Sequence, residues 1–284
     1  MPDYNEQLNM LIITALKEDI GDGDHSTLCC IPAGARGKAV LKIKQEGILA
    51  GMSVAEKIFA FQDPSSVFSP FKKDGDPMKN GDIAFAVEAY VHTILNVERL
   101  VLNTMQRMSG IATLTRKYAD RLSNYSTKIL DTRKTTPNFR LLEKEAVRIG
   151  GGFNHRMGLY DMIMLKDNHI DYAGGLENAI GKAWEYTQTI KPGLKIEVET
   201  RSLEEVKRVL NIGKVHRIML DNFEPALIKE VVALIAGRYE TEASGGINYD
   251  NICDYAATGV DYISVGALIH QAQSLDLSLK AVLL

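Results

Sequence analysis

Cysteine is scarce in this chain of 284 residues, with only three in all. Cys29 and Cys30 are adjacent, Cys253 stands alone, and no C-x-x-C motif occurs. This pattern argues against a disulfide scaffold or a zinc site and favours a reducing compartment, so we expect a cytoplasmic protein. We expect all three cysteines to lie in or near the core.

Long apolar runs are also missing. The longest aliphatic run near the end, Val231 to Ala236, is far short of the ~20 residues that a membrane-spanning helix needs. Residues 1–7 are polar and lack the basic start of a secretory signal. We therefore expect no membrane partner.

There is no excess of positive charge, since 33 Lys and Arg face 36 Asp and Glu, giving a net charge of −3. A protein that coats nucleic acid needs a face dense in basic residues, so no nucleic-acid partner is expected. Any anion site must depend on a local concentration of cations.

The first part of the chain mixes helical and strand periodicities. Ser53 followed by Glu56 fits a capping box, and the acidic turn Asp19–Asp24 lacks the terminal Glu of a calcium loop, which favours a turn or helix cap. The patterns predict, in order, a helix over 4–20 ended by Gly21, a strand over 38–44, a helix over 53–61, loops over 62–82, a strand over 83–91 and a helix over 96–123.

From Thr127 onward, short apolar runs alternate with amphipathic stretches, which predicts a parallel sheet, open or closed into a barrel. Each run ends in polar or glycine residues. In βα barrels the reactive groups lie at the carboxyl ends of the strands, so these endings predict the active site. The endings are Asp131–Lys134, Lys166–His169, Glu199, Asp221–Asn222, Ser244–Gly246 and Gly266.

Two of these endings suit a phosphate group. Ser244, Gly245 and Gly246 can bring backbone N–H groups close to an anion, and a helix starting near Asn248 would point its positive end there. Gly266 offers a second contact one strand later. The alternative is that Gly245-Gly246 forms only a tight turn.

Cations concentrate between Asp131 and His169, where seven Lys or Arg and two His accompany five acids. Arg133-Lys134 and His155-Arg156 lie in stretches too poor in apolar residues for a helix face, which indicates a ligand with several negative charges. Each cation alone could be an ordinary surface residue. We expect that of Arg140, Lys144 and Arg148, which lie four apart on a predicted helix.

Two acids, Glu199 and Asp221, end neighbouring strands. They could hydrogen-bond sugar hydroxyls, hold a divalent metal or stabilise a developing carbocation. A structural salt bridge with Lys134 or Lys166 is the alternative. Glu197 lies on the same face as Glu199 and is expected to pair with a cation inside the barrel.

Nine segments, in order over nearly the whole chain, resemble the quinolinate phosphoribosyltransferase family. They are Glu18–Asp24, Glu98–Asn103, Asp131–Thr135, Gly151–Arg156, Leu165–His169, Glu197–Glu199, Leu220–Phe223, Ala243–Ile247 and Val265–Leu268.

The resemblance implies an α/β fold of the type II phosphoribosyltransferase class, with an incomplete βα barrel and an N-terminal α/β sandwich domain. The N-terminal domain would cover residues 1–112, and the barrel domain would cover residues 113–269. Residues 270–284 would form the last helix of the chain and pack back onto the N-terminal domain. It also implies a homodimer or larger assembly in which one subunit's N-terminal domain caps its partner's barrel.

By the same resemblance, the protein would transfer the phosphoribosyl group of phosphoribosyl pyrophosphate to quinolinate with decarboxylation, a step of NAD biosynthesis that needs Mg²⁺. The implied catalytic residues are Lys134, Glu199 and Asp221. Quinolinate would contact Arg99 from the partner subunit together with Thr132, Arg133, His155, Arg156 and Lys166. Phosphoribosyl pyrophosphate would contact Lys134, Glu199, Asp221, Ser244, Gly245, Gly246 and Gly266. Mg²⁺ would bind mainly through pyrophosphate, with Glu199 and Asp221 as further candidate ligands.

Three alternatives stay open from the residues themselves. The acceptor could be another nitrogen heterocycle on the same fold. The chain could be a different barrel enzyme, such as an aldolase with Lys166 as its Schiff-base amine. It could also be a binding protein that senses a phosphorylated metabolite without turning it over.

Overall fold

The computed structural model describes residues 3–282. The helices are α1 Tyr4–Ile20, α2 His25–Cys30, α3 Met52–Gln62, α4 Val91–Arg121, α5 Arg140–Ile149, α6 Asp167–Ala173, α7 Leu176–Thr189, α8 Leu203–Ile212, α9 Pro225–Ile235, α10 Ile252–Ala256 and α11 Ala267–His270. The strands are β1 Arg36–Ile43, β2 Gly47–Ile48, β3 Val67–Pro70, β4 Pro77–Met78, β5 Ile83–Tyr90, β6 Lys128–Leu130, β7 Ile163–Leu165, β8 Ile196–Thr200, β9 Arg217–Asp221, β10 Glu240–Ser244, β11 Tyr262–Ser264 and β12 Leu277–Val282.

These elements form two compact units. The first contains the chain up to residue 116, residues 135–151 and the chain from 268 onward, and the second contains residues 117–134 and 152–267. The predicted barrel domain included 135–151, which here packs within the first unit. Among the described residues, no helix combines the length and the apolar character needed to cross a bilayer.

The first unit is built on a four-stranded antiparallel sheet in the order β12-β1-β5-β3. Its core includes three phenylalanines, Phe59, Phe68 and Phe85, with the last two rings 4.5 Å apart between centroids. The predicted closing helix is wrong, because residues 277–282 form a strand that pairs with β1. Leu277 and Leu279 are buried and alternate with more exposed residues, which is the period of a strand.

Three local expectations also fail. Ser53 does not cap α3, since Gly51 is its N-cap and the carboxylate of Asp74 accepts from the Met52 N–H at 2.8 Å. Cys29 and Cys30 are exposed rather than near the core. Lys144, expected on the surface, is fully buried in α5.

A buried carboxylate, Glu143 of α5, holds residues 135–151 in the first unit. It accepts hydrogen bonds from the Arg107 guanidinium at 2.8 and 2.9 Å and from the Thr136 N–H at 2.8 Å. Replacing Glu143 with alanine removes the carboxylate that neutralises the Arg107 guanidinium, although its bonds to the Ile269 and Ala272 carbonyls remain. We therefore expect the free energy of unfolding to fall by about 3–5 kcal/mol. Urea titration would measure this, with Glu88→Ala, which breaks an exposed pair with Lys38, as a control that should change little.

The second unit is a six-stranded parallel sheet in the order β6-β11-β10-β9-β8-β7. The outer strands β6 and β7 do not pair with each other in the described residues, so the barrel is incomplete as predicted. Helices α6 to α10 alternate with these strands. Because the strands are parallel and in register, their carboxyl ends meet at one edge, which we call the carboxyl-terminal rim.

Candidate active site

Twelve of the predicted site residues belong to the second unit. Ten lie at or directly after the ends of its strands, and the other two, His155 and Arg156, lie in the segment between α5 and β7. The twelve are Thr132, Arg133, Lys134, His155, Arg156, Lys166, Glu199, Asp221, Ser244, Gly245, Gly246 and Gly266. The thirteenth, Arg99, is exposed on α4 in the first unit, and within residues 3–282 its side chain makes no hydrogen bond or ion pair.

The ends of β7 and β8 carry an ion pair between the Lys166 ammonium and the Glu199 carboxylate. Leu165 lies beside Val198 in the register of the two strands, which places the next residues side by side. The salt bridge that the sequence left open for Glu199 is therefore present. The Lys166 side-chain nitrogen is therefore engaged by Glu199, which counts against the aldolase alternative.

The ends of β9 and β10 meet around Asp221. Its carboxylate accepts from the Asn222 side-chain amide at 2.7 Å, and the Asn222 N–H donates to the Ser244 carbonyl at 2.7 Å. Gly245 has a φ of 90°, and a Cβ there would lie 2.2 Å from Asn222 Oδ1. Only glycine fits this position.

The neighbouring Gly246 has a φ of 65° and only open space where a Cβ would point. Because no side chain covers the backbone at Gly246, a phosphate group can approach it closely. The following helix starts at Ile252 and not near Asn248, because the Asn248 side chain accepts from the N–H groups of Asp250 and Asn251 and forms a turn first.

The segment after β6 presents cations to solvent. The side chains of Arg133 and Lys134 are exposed, and the Lys134 N–H donates to Thr132 Oγ1 at 3.1 Å. Asp131 just before them is fully buried and accepts from Asn154 Nδ2 at 2.6 Å and from the His155 N–H at 2.8 Å. It therefore joins the two cation-bearing segments instead of meeting a ligand.

Arg156 is the second guanidinium of this region and is mostly buried. Burial lowers its pKa, and the charge of Arg133 lowers it further. Its Nη1 donates to the Met162 carbonyl at 3.2 Å. An anion bound at these two guanidinium groups would offset the effect of burial and of the like charge, which makes this region suited to a dicarboxylate.

The sheet interior contains a charged cluster that sequence reasoning found only in part. His155 Nε2 lies 2.8 Å from Glu197 Oε2 and 3.4 Å from Glu242 Oε2, and Arg217 Nη1 lies 2.8 Å from Glu242. Glu197 was expected to pair with a cation inside the barrel, and it does so with His155. Glu242 and Arg217 were missed, although acids and an arginine inside short apolar strands were the available signal.

This cluster retains a proton that the unfolded chain loses at neutral pH. Burial and the nearby Glu242 raise the pKa of Glu197 to about 7. Burial lowers the pKa of His155, but hydrogen bonds to Glu197 and Glu242 outweigh it and raise that pKa to about 9. Since the groups interact strongly, we assign the proton to the cluster rather than to one residue.

A pH dependence of stability follows, because a group with a raised folded-state pKa stabilises the protein below its unfolded pKa and loses that effect as pH rises through the folded value. From pH 6.5 to 9 we expect the free energy of unfolding to fall, at most by about 1.4 kcal/mol per pH unit. Urea titrations at several pH values would measure it. The slope should flatten in Glu197→Gln, and a pH-independent wild type would contradict the assignment.

Comparisons with known proteins agree across the chain. The family model for the N-terminal domain of quinolinate phosphoribosyl transferase matches residues 24–109, and that for the C-terminal domain matches residues 111–280. Nicotinate-nucleotide pyrophosphorylase [carboxylating], chloroplastic, from Oryza sativa subsp. japonica is 45% identical, with 98% of this chain and 78% of that protein covered.

A second relative, quinolinate phosphoribosyltransferase [decarboxylating] 1b from Nicotiana tabacum, is also 45% identical, with 98% and 83% covered. Among solved structures, NadC from Streptococcus pyogenes superimposes with a TM-score of 0.91 at 40% identity, covering 98% of this chain and 97% of that one. The predicted fold class is confirmed by these matches.

Proposed function

Since the chain belongs to the quinolinate phosphoribosyltransferase family, we infer that it transfers the phosphoribosyl group of phosphoribosyl pyrophosphate to quinolinate and releases CO₂ and pyrophosphate. The product is nicotinate mononucleotide, a precursor of NAD. The observation that supports this most is that the guanidinium groups of Arg133 and Arg156 lie in the same unit as the carboxylates of Glu199 and Asp221.

We propose that quinolinate binds among the cations of the rim. Its two carboxylates on one ring match Arg133 and Arg156, with Thr132 and Lys166 alongside and His155 behind Arg156. Charge-assisted hydrogen bonds contribute about 1.5–3 kcal/mol each, so several are needed to hold so small a ligand. The mutual repulsion of Arg133 and Arg156 supports this role, because a dianion relieves it.

Phosphoribosyl pyrophosphate is proposed to lie along the ends of β8 to β11. Ser244, Gly245, Gly246 and Gly266 would receive the 5′-phosphate through backbone N–H groups, and the open space at Gly246 supports this placement. Lys134 would face the pyrophosphate with its exposed ammonium.

Glu199 and Asp221 are proposed to act at the ribose. When the bond from C1 to pyrophosphate breaks, positive charge develops on the ring, and fixed carboxylates stabilise it while the quinolinate nitrogen attacks. When the carboxylate on the adjacent ring carbon leaves as CO₂, the positive pyridinium nitrogen stabilises the electron pair that stays on that carbon. A proton from solvent then completes the C–H bond, so no organic cofactor is needed.

Mg²⁺ is proposed as the cofactor, held mainly by the pyrophosphate of the substrate. The carboxylate oxygens of Asp221 and Glu199 fit a hard cation of this kind, since Mg²⁺ favours oxygen ligands and retains several waters. Bound there, Mg²⁺ would neutralise charge on the leaving pyrophosphate.

The test is a turnover assay with quinolinate, phosphoribosyl pyrophosphate and Mg²⁺ that follows nicotinate mononucleotide and pyrophosphate. Product should vanish when EDTA removes Mg²⁺ and when nicotinate or nicotinamide replaces quinolinate. If no product forms but calorimetry detects phosphoribosyl pyrophosphate binding, the acceptor is a different nitrogen heterocycle. Binding of phosphoribosyl pyrophosphate with no turnover for any such acceptor would favour the sensor alternative.

We further propose a homodimer or larger assembly in which Arg99 enters the partner's site. Its exposed guanidinium, without a partner in the part of the chain described, supports this role. If so, mixing the separately inactive variants Arg99→Ala and Lys134→Ala should restore up to about a quarter of wild-type activity. Random re-association makes about half of the dimers mixed, and one of the two sites in each mixed dimer contains neither substitution.

Each variant alone under the same mixing and re-equilibration protocol is the control. Mixtures no more active than the separate variants would refute the shared site.

The reaction is proposed to take place in the cytoplasm, which the three free cysteines support.

A further inference from the structure

Both ring nitrogens of His155 are engaged by the protein. Nε2 faces the carboxylates of Glu197 and Glu242, and Nδ1 accepts a hydrogen bond from the Arg156 N–H at 2.7 Å. The side chain is only 5% exposed. The ring is therefore bound from the sheet interior on one side and from its own loop on the other.

These contacts determine which nitrogen carries the ring proton. A backbone N–H that donates to Nδ1 requires a lone pair there, so the ring proton lies on Nε2 and is donated to Glu197. Glu197 Oε1 is buried and, within the described residues, has no hydrogen-bond partner. The proton that the cluster retains up to about pH 9 therefore lies on Glu197 Oε1 and not on His155 Nδ1, and Glu197 Oε2 stays free to accept from the ring.

Several hydrogen bonds hold the loop that carries Arg156. Asp161 accepts from the N–H groups of Met157 and Gly158, and Arg156 Nη1 donates to the Met162 carbonyl. Asn154 Nδ2 and the His155 N–H donate to the Asp131 carboxylate, and the Arg156 N–H donates to the His155 ring. Loss of the ring contact would leave a buried N–H without an acceptor, at a cost that the loop would relieve by moving. The Arg156 guanidinium would move with it.

We propose that His155 and Glu197 are positioning residues for the base site: Glu197 holds the His155 ring, the ring holds the main chain of Arg156, and Arg156 receives a quinolinate carboxylate. His155 itself does not contact the ligand. This changes the role implied for His155 by family resemblance, and it rests on the proposed function because it assigns Arg156 to quinolinate. Glu242, fixed by Arg217, closes the other side of the ring.

The experiment separates positioning from general stability by comparing two ligands. Phthalate has the two adjacent carboxylates of quinolinate without its ring nitrogen, so calorimetry can measure its binding with no reaction. In Glu197→Ala we expect phthalate and quinolinate to bind about tenfold or more weakly, with phosphoribosyl pyrophosphate affinity within about twofold of wild type. In Glu197→Gln, whose amide oxygen can still accept from Nε2, phthalate affinity should stay within about threefold.

Equal phthalate affinity in Glu197→Ala and wild type would overturn the proposal. So would equal losses of affinity for phthalate and phosphoribosyl pyrophosphate in Glu197→Ala, or a wild type that binds no phthalate. Glu177→Gln, which alters an exposed pair with Arg208, is the matched surface control. Turnover with quinolinate is measured on the same wild-type sample. Absent turnover with normal phthalate discrimination would refute the proposed function and leave the positioning role standing.

Glu197→Ala could fail to fold, so a second measurement uses the wild type. Nitrogen-15 NMR of the imidazole should report a protonated Nε2 and an unprotonated Nδ1 for His155. The two signals are assigned to His155 by their absence from the spectrum of His155→Asn. Both signals should keep their protonation state when phthalate is added. A change in the protonation of either nitrogen on binding would show direct participation and overturn the proposal.

Discussion

Replacing Lys134 with alanine is expected to lower kcat about 100-fold or more without loss of folding. The side chain is exposed at the rim and, in the part of the chain described, makes no hydrogen bond or ion pair. Its removal therefore takes nothing from the fold, and the loss falls on the stabilisation of the departing pyrophosphate. Steady-state kinetics with both substrates would measure it.

Arg133→Ala is the companion variant and should lower turnover to a similar degree, with weaker quinolinate binding as well. Lys207→Ala, an exposed lysine of α8, is the control for a general effect of lost positive charge and should behave like wild type. Near-normal kinetics in both Lys134→Ala and Arg133→Ala would contradict the roles assigned to the rim.

The meeting of the polar strand ends at one edge could be predicted from the sequence, because strand endings are local features. Short apolar runs ended by Lys166, Glu199, Asp221 and Ser244 required only the general rule that parallel strands share one carboxyl edge. The register confirms this, since Ser244 lies opposite Asp221 on the neighbouring strand.

The interior cluster could be predicted only in part, because its members come from separate segments of the chain. All five residues of β8 are buried. The alternation of polar and apolar residues along this strand therefore does not show which side of the sheet the Glu197 side chain faces. Glu242 and Arg217 lie on β10 and β9, and their meeting with His155 depends on the strand order. Sequence spacing alone contains no information about that order.

Lys144 shows a different limit. An amphipathic helix with charges four residues apart predicts surface cations, yet α5 is covered within the first unit and both Glu143 and Lys144 are fully buried. Tertiary packing decides the outcome here, since helical periodicity reports which residues share a face but not how many faces are covered.

Replacing Glu199 with glutamine is expected to lower kcat by about 10²–10³-fold, because the change retains shape while removing the negative charge that stabilises the developing oxocarbenium ion. The competing explanation is that Glu199 serves only to hold the Lys166 ammonium, with which it is paired. Under that explanation its loss should act entirely through Lys166.

A double-mutant cycle separates the two explanations. If Glu199 acts only through Lys166, adding Glu199→Gln to Lys166→Met should cost nothing further in kcat. If Glu199 acts on the ribose, the double variant should be slower than Lys166→Met by about tenfold or more, since charge stabilisation at the reacting carbon is lost in addition to the ion pair. Glu230→Gln, an exposed acid of α9, provides the control and should leave kcat unchanged.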